Sequence, residues 1–205
     1  MLKRFLKRFF IAIAIVVVSP LIILTWLEKF IETSTMGRQR GYFYISCREL
    51  ISIIPTLIGN YLRLGYYMAV CNKVSPDATI SFGTILGHRG VTIGPGVNTG
   101  PFSIIGYATI EENVLMAARV SIISGKYQHG RPSERSRGDE MDIGGHNELI
   151  TIGRNTWIGQ DAVILANIGR NCTVGAGSVV YRDVPDGATV LGNPARKVNM
   201  DSRDN

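Results

Sequence analysis

Three imidazoles set the acid–base chemistry open to this chain: His88, His129 and His146. A neutral imidazole with a pKa of about 6.5 can take a proton from a hydroxyl as that hydroxyl attacks. Two of the three lie in one polar segment, SGKYQHGRPSERSRGDEMDIGGHNE, which begins at Ser124. His129 stands near its start and His146 near its end. Connections longer than about 12–15 residues are usually functional or disordered. A zinc site would need three converging histidines and an open position. His129 and His146 are 17 residues apart across the loop, unlike a ligand pair on one element. Metal analysis of the purified protein tests that reading. His88 reads as a surface residue of an early turn. Cys47, Cys71 and Cys172 are odd in number, far apart and without a CxxC pair, which argues against a disulfide framework or zinc ribbon. Cys172 reads as a small packing residue.

A period of six positions these residues. Val74, Ile80 and Leu86 form one series, and Ile104, Ile110, Met116 and Ile122 a second. Ile152, Ile158 and Ile164 form a third, and Ile168, Val174 and Val180 a fourth. Helices need a period of about 3.6 and ordinary strands a period of two. A fixed period of six is the hexapeptide signature of a parallel β-helix. Each hexad supplies one short strand and one turn, with the sixth-residue aliphatic pointing inward. Three hexads close one triangular coil, stacked on the next at about 4.8 Å. The predicted class is all-β, with the β-helix over residues 74–185, an inserted loop at 124–149 and a C-terminal tail at 186–205.

The tail of the repeat carries Trp157-Ile158-Gly159, Gly175-Ala176-Gly177-Ser178-Val179-Val180 and Gly192-Asn193-Pro194-Ala195-Arg196. In this ordered set the chain resembles the hexapeptide-repeat acyltransferases, and among them the galactoside, maltose and capsular-sugar O-acetyltransferases. The resemblance runs from about Val74 to Val198, some three-fifths of the chain. It implies a left-handed coil, a homotrimer, and acetyl-CoA as co-substrate in a groove between neighbouring β-helices, without a metal. It implies that His129 is the catalytic base toward the acceptor hydroxyl. Glu134, Arg135, Arg137 and Gly138 then match the Glu, Arg and Gly that follow the family histidine, at looser spacing. By motif position, Trp157, Gly159 and Gln160 meet the pantetheine arm, and Ala176 and Ser178 line the next coil. Arg182, Arg196 and Lys197 face the nucleotide phosphates, where positive charge is useful. Two departures stand out. Leu165-Ala166-Asn167 makes a shorter corner than the family's, and Gly100-Pro101-Phe102 replaces the region of the galactoside enzymes' acceptor-side Asn.

The chemistry is coherent with those parts. Direct transfer from a thioester needs a base for the hydroxyl and donors for the developing oxyanion, which coil backbone N–H groups can supply. It needs no covalent enzyme intermediate.

The N-terminus adds an attachment. Phe9 to Leu27 are uncharged and almost wholly apolar, and as a straight helix they reach about 28 Å, enough to cross a bilayer core. No small-residue cleavage site follows, which argues against a signal peptide. The net charge is +6, and Lys3, Arg4, Lys7 and Arg8 concentrate it before the apolar run. That favours an anionic membrane surface over nucleic acid. Lys29, Arg38, Arg40 and Arg48 make the far flank basic too. Ser19-Pro20 interrupts the run, and proline favours a kink. The segment is similar to the re-entrant membrane hairpin of monotopic phosphoglycosyl transferases. Residues 1–30 therefore form a membrane segment that is kinked at Ser19-Pro20 and either spans or re-enters. The re-entrant form keeps both flanks, and the catalytic domain, in the cytoplasm where acetyl-CoA is found.

Residues 31–73 form an amphipathic helical linker and cap. Ile54, Leu57, Ile58, Tyr61, Leu62 and Gly65 recur at helical spacing, with Asn60 and Arg63 between them, and the helix breaks or starts near Pro55. This helix either lies on the membrane or covers the first coil, since an open sheet end needs a lid. The expected activity is O-acetylation of a sugar hydroxyl on a membrane-associated glycan or lipid-linked sugar. N-acetylation of an amino-sugar nucleotide and a non-catalytic β-helix scaffold are the alternatives.

Overall fold

Hexads of alternating strand and corner wind a chain around an apolar axis and leave open edges only at the two ends. The computed structural model describes residues 2–34, 41–124 and 147–198 and contains three such sheets. Sheet 1 joins β1 (Lys73–Val74), β3 (Thr92–Ile93), β5 (Ala108–Ile110) and β8 (Ile150–Ile152). Sheet 2 joins β2 (Ile85–Leu86), β4 (Ile104–Ile105), β7 (Ser121–Ile122), β10 (Val163–Ile164) and β12 (Val179–Val180). Sheet 3 joins β6 (Leu115–Met116), β9 (Trp157–Ile158), β11 (Thr173–Val174) and β13 (Thr189–Leu191). All these pairings are parallel, and β14 (Arg196–Val198) then turns back antiparallel on β13. The backbone makes five turns, one for each strand of sheet 2.

Each strand from β2 to β12 buries its last residue and the one two places earlier. Val114 and Met116, Val120 and Ile122, Ala162 and Ile164, and Cys172 and Val174 are such pairs. Fully burying one of the large aliphatics contributes about 1.5–3 kcal/mol. The count of six fails once. It places Ile104 inside, but Ile104 is 51% exposed and Ile105 is buried. Ser103 takes the small inward position, and its hydroxyl accepts the Val120 N–H at 3.2 Å. The chain thus enters β4 one residue late.

The corners carry the specialised residues. Asn113, Asn155 and Asn171 adopt left-handed φ of 57°, 57° and 54°, a conformation asparagine tolerates. Their side chains form a ladder, with amide contacts of 3.3 Å and 3.1 Å.

Helices α2 (Tyr42–Ser52) and α3 (Thr56–Val70) close the first turn. The Tyr44 hydroxyl donates to the Leu86 carbonyl at 2.7 Å, and the Tyr67 hydroxyl accepts the Leu86 N–H at 3.2 Å. Backbone groups that the stack leaves unpaired are thereby satisfied. The lid inverts one expected feature of this segment: Arg63 is fully buried, while Leu57 and Ile58 are exposed.

Helix α1 (Leu2–Ser34) runs unbroken through Pro20. Proline has no N–H to offer the Val16 carbonyl, and the Ser19 hydroxyl donates to that carbonyl instead, at 2.8 Å. The chain does not turn back at Ser19-Pro20.

Candidate active site

The corner between sheets 3 and 2 gathers the first group of expected residues. Trp157 projects outward from β9 beside Leu115, its register partner on β6, and both are exposed. The chain then turns through Gly159, Gln160 and Asp161 into β10. The next turn repeats the corner with Gly175, Ala176 and Gly177, whose N–H donates to the Gln160 carbonyl at 2.7 Å. A Cβ on Gly159 would stand 2.5 Å from the Ala176 nitrogen and 2.8 Å from its Cα, so only glycine permits this stacking. Gln160 and Ala176 are exposed on the outside of the corner. Ser178 is not: it is fully buried, and its hydroxyl accepts the Gly192 N–H at 3.1 Å. It shapes the wall from behind.

A charged pair here escaped the sequence reading. Arg119 donates to both oxygens of Asp161, at 2.6 Å and 2.9 Å, and the Gln160 amide donates to Asp161 at 3.2 Å. The Arg119 guanidinium, and then the Gln160 amide, hold the Asp161 carboxyl below its usual pKa. The two partners are 42 residues apart, and their one shared signal is position: each follows an inward hexad residue, Met116 or Ile158, by three.

The second group lies at the C-terminal end of the stack. Arg182, Arg196 and Lys197 share a cavity of about 170 Å³ with Tyr181 and Asp183. The Arg182 guanidinium sits 5.6 Å from the centre of the Tyr181 ring. The return from β13 to β14 links this end to the corner: the Ala195 N–H donates to the Val179 carbonyl at 2.9 Å. The short corner at Leu165-Ala166-Asn167 is regular, because the next turn copies it. The Asn167 side chain accepts the Thr151 N–H at 2.8 Å, and the Asp183 side chain accepts the Asn167 N–H at 3.0 Å.

His129, His146, Glu134, Arg135, Arg137 and Gly138 lie outside the described residues. The segment that carries them is rooted at the corner between sheets 2 and 1. There the Glu148 N–H donates to the Ser124 carbonyl at 2.9 Å, and the Tyr107 N–H donates to the Ser124 hydroxyl at 2.8 Å. The root and the Gln160 corner thus flank sheet 2 on opposite sides.

His88 is the one histidine among the described residues, half-buried with its ring 4.5 Å from that of Tyr107. Burial, and Arg89 beside it, hold its imidazole below the ordinary pKa. Its Nδ1 accepts the Gly90 N–H at 2.9 Å, which the neutral ring allows. The unfolded chain therefore binds this proton more readily than the folded one. The stability His88 contributes is complete above the unfolded value of about 6.5 and is lost as pH falls through the lowered folded value. His88→Phe keeps an aromatic ring against Tyr107. The stability difference between wild type and this variant is expected to shrink as pH falls below about 6.5, which unfolding midpoints across pH will check. A difference that grows on acidification would contradict the assignment.

The family model described as the hexapeptide repeat of succinyl-transferase matches residues 149–182. A galactoside acetyltransferase solved in complex with coenzyme A has a TM-score of 0.55 at 21% identity, over 78% of this chain and 80% of that one. A maltose O-acetyltransferase from Clostridium difficile 630 has a TM-score of 0.50 at 20% identity, over 76% of this chain and 83% of that one. The chain is a left-handed hexapeptide-repeat β-helix. No curated protein matches it in sequence. Within this hexapeptide β-helix, the matched repeat contains the Trp157–Ala176 corner and ends at Arg182.

Proposed function

We propose that the protein is an acetyl-CoA-dependent O-acetyltransferase acting on a sugar hydroxyl of a membrane-associated glycan or glycolipid. The observation that carries the reading is the exposed corner of Trp157, Gln160 and Ala176, joined through the β13–β14 return to Arg182, Arg196 and Lys197. A long thin ligand with an apolar arm and an anionic end fits that sequence of surfaces. The fold is one on which a galactoside acetyltransferase binds coenzyme A.

In this reading the pantetheine arm lies against Trp157 and the corner glycines, and the phosphates meet the cation cluster. His129 takes the acceptor proton as the hydroxyl oxygen attacks the thioester carbonyl. The C–S bond breaks as the tetrahedral intermediate collapses, and CoA leaves as the thiol after taking up a proton. Two features support a homotrimer. The loop root and the Gln160 corner are on opposite sides of sheet 2, and Ile104, Leu115 and Trp157 are exposed on the outer faces. Neighbouring copies would bring one chain's loop to another's corner and cover those side chains. A solution mass of one chain with full activity would exclude the trimer. The apolar α1 supports membrane association. The donor's location puts the catalytic domain on the cytoplasmic side.

Arg196→Ala is expected to raise the KM for acetyl-CoA by about 10–100-fold, equivalent to a lost charge-assisted contact of about 1.5–3 kcal/mol. The acceptor KM should stay within about twofold if Arg196 touches the donor alone. Steady-state kinetics with each substrate varied in turn checks this, and the reverse pattern would move Arg196 to the acceptor side. A screen of hydroxyl and amino sugars with acetyl-CoA tests the reaction itself. Acetylation of amino sugars only would replace O-transfer with N-transfer.

A further inference from the structure

We infer that α1 does not cross the bilayer but lies in its plane, one side clamped to the protein and the other resting on lipid. This builds on the membrane association proposed above and adds its geometry.

The apolar part of α1, Phe5–Ile31, is 27 residues long, about 40 Å as a helix and ample to span. Both of its ends are nevertheless tied to the first turn of the β-helix. At one end Lys7 Nζ donates to the Ala78 carbonyl at 3.5 Å. At the other, the Glu28 carboxylate accepts the N–H groups of Phe43 and Tyr44, at 2.7 Å and 3.0 Å, and meets Arg89 at 3.3 Å. Ala78 and Arg89 belong to the same turn. Contacts continue between the ends. The Phe10 and Tyr61 rings are 5.6 Å apart, Thr25 and Tyr66 share a hydrogen bond of 2.8 Å, and the Trp26 indole donates to the Ala69 carbonyl at 3.2 Å. A spanning helix would carry its two ends about 30 Å apart across hydrocarbon. It would break these contacts, strip the Glu28 carboxylate of its Phe43, Tyr44 and Arg89 partners and leave the Thr25 hydroxyl facing lipid.

The two sides of α1 differ in partner and hardly in polarity. Ile11, Ala14, Val18, Thr25 and Glu28 form the buried stripe. Phe5, Phe9, Val16, Val17, Ile23 and Leu27 are exposed. A helix lying on a soluble surface turns charged residues outward; this one turns out phenylalanine, valine and isoleucine. Leu57 and Ile58, also exposed, are one turn before Tyr61 on α3 and widen the patch next to Phe10. The basic residues are at the ends of the patch: Arg8 at one, Lys29 at the other. An apolar strip with cationic ends complements an anionic leaflet, into which in-plane helices sink about 5–10 Å. The cation cluster at Arg182 and Arg196 is four turns further along the stack, about 20 Å from the lid at the inter-strand spacing. It faces solvent in this placement.

The test uses the purified full chain with a depth-sensitive spin label on one introduced cysteine at a time: Phe5→Cys, Val17→Cys or Leu27→Cys. All three positions are exposed, so folding is spared. Cys47 and Cys172 are buried, and burial pushes the Cys71 thiol up to about 12, so the native thiols label slowly. Flotation with vesicles of mixed phosphatidylcholine and phosphatidylglycerol measures association by itself. The expected result is flotation that weakens on phosphatidylcholine alone, with similar shallow depths at all three sites. Flotation with site 17 at the bilayer centre, and sites 5 and 27 at opposite surfaces, would establish a spanning helix. Site 17 deep and both flanks at one surface would establish a hairpin. Either result overturns the in-plane inference and leaves membrane association standing. No flotation, with the three sites shielded inside an oligomer instead, would overturn both.

Discussion

His129→Ala is expected to slow acetyl transfer by about 10²–10⁴-fold, the usual cost of losing a general base, while acetyl-CoA binding stays within about twofold. The sugar hydroxyl is a poor nucleophile until its proton is taken, and in the proposed site that task falls to the His129 imidazole. The wild-type rate should fall on acidification, as the imidazole takes a proton from solvent and stops accepting one from the acceptor. The variant should lack that limb. His146→Ala should have a smaller effect. Single-turnover rates with labelled acetyl-CoA, together with donor binding by calorimetry, separate the two quantities. An inactive His146 variant beside a normal His129 variant would reverse the roles.

Arg63→Ala should be the most destabilising single change in the lid. The guanidinium is fully buried, and no carboxylate among the described residues pairs with it. Nε donates to the Ile80 carbonyl at 3.0 Å, and Nη1 to the carbonyls of Ile51, Ser52 and Ile54 at 3.2 Å, 3.2 Å and 2.7 Å. Nη2 donates to the Asn60 side chain. Three of those carbonyls stand at the C-terminal end of α2, where the helix dipole favours a cation. Burial lowers the Arg63 pKa, and the carbonyls compensate the charge. Alanine would leave a cavity and several unpaired carbonyls, a loss of about 3–5 kcal/mol at about 1–3 kcal/mol for each buried polar group left unsatisfied. Lysine, with three donors on a single atom, should restore only part of it. Denaturant unfolding measures the change. A loss below about 1 kcal/mol would mean that water or a neighbour replaces the guanidinium.

The β-helix was legible because its period belongs to no other element. Val74, Ile80, Leu86, Ile158 and Val174 all point inward as the count of six requires. The count failed at Ile104 because corners need not have equal lengths. From Ile152 to Ile168 and on to Val184 a turn takes sixteen residues, whereas from Leu86 to Ile105 it takes nineteen. A second rule was present but unread: apart from Val74 and Val184, which follow the exposed Asn72 and Arg182, the residue two before each inward aliphatic is also buried, and in the later turns it is small. It accounts for Thr156, Ala162, Cys172 and Ala188, and it would have put Ser178 inside. The Trp157 corner was readable from its motif, but the Arg119–Asp161 pair was not, since neighbours on adjacent turns are far apart in sequence. The N-terminal segment was hardest. Hydropathy measures how apolar α1 is but not what it packs on. Thr25 and Glu28 declare that packing only once Tyr66 and Arg89 are beside them.

The most direct measurement follows a labelled acetyl group. Membranes from cells lacking the protein supply the acceptor, and the purified full chain and acetyl-labelled acetyl-CoA are added. Label is expected in the glycan or glycolipid fraction, dependent on the protein and released by mild alkali, as an ester on a sugar oxygen must be. Release of CoA thiol should match the label transferred. Label that survives alkali would be an amide and would contradict O-transfer. An active donor screen without transfer to any membrane fraction would contradict the acceptor. No thiol release with any sugar would contradict the acyltransferase itself.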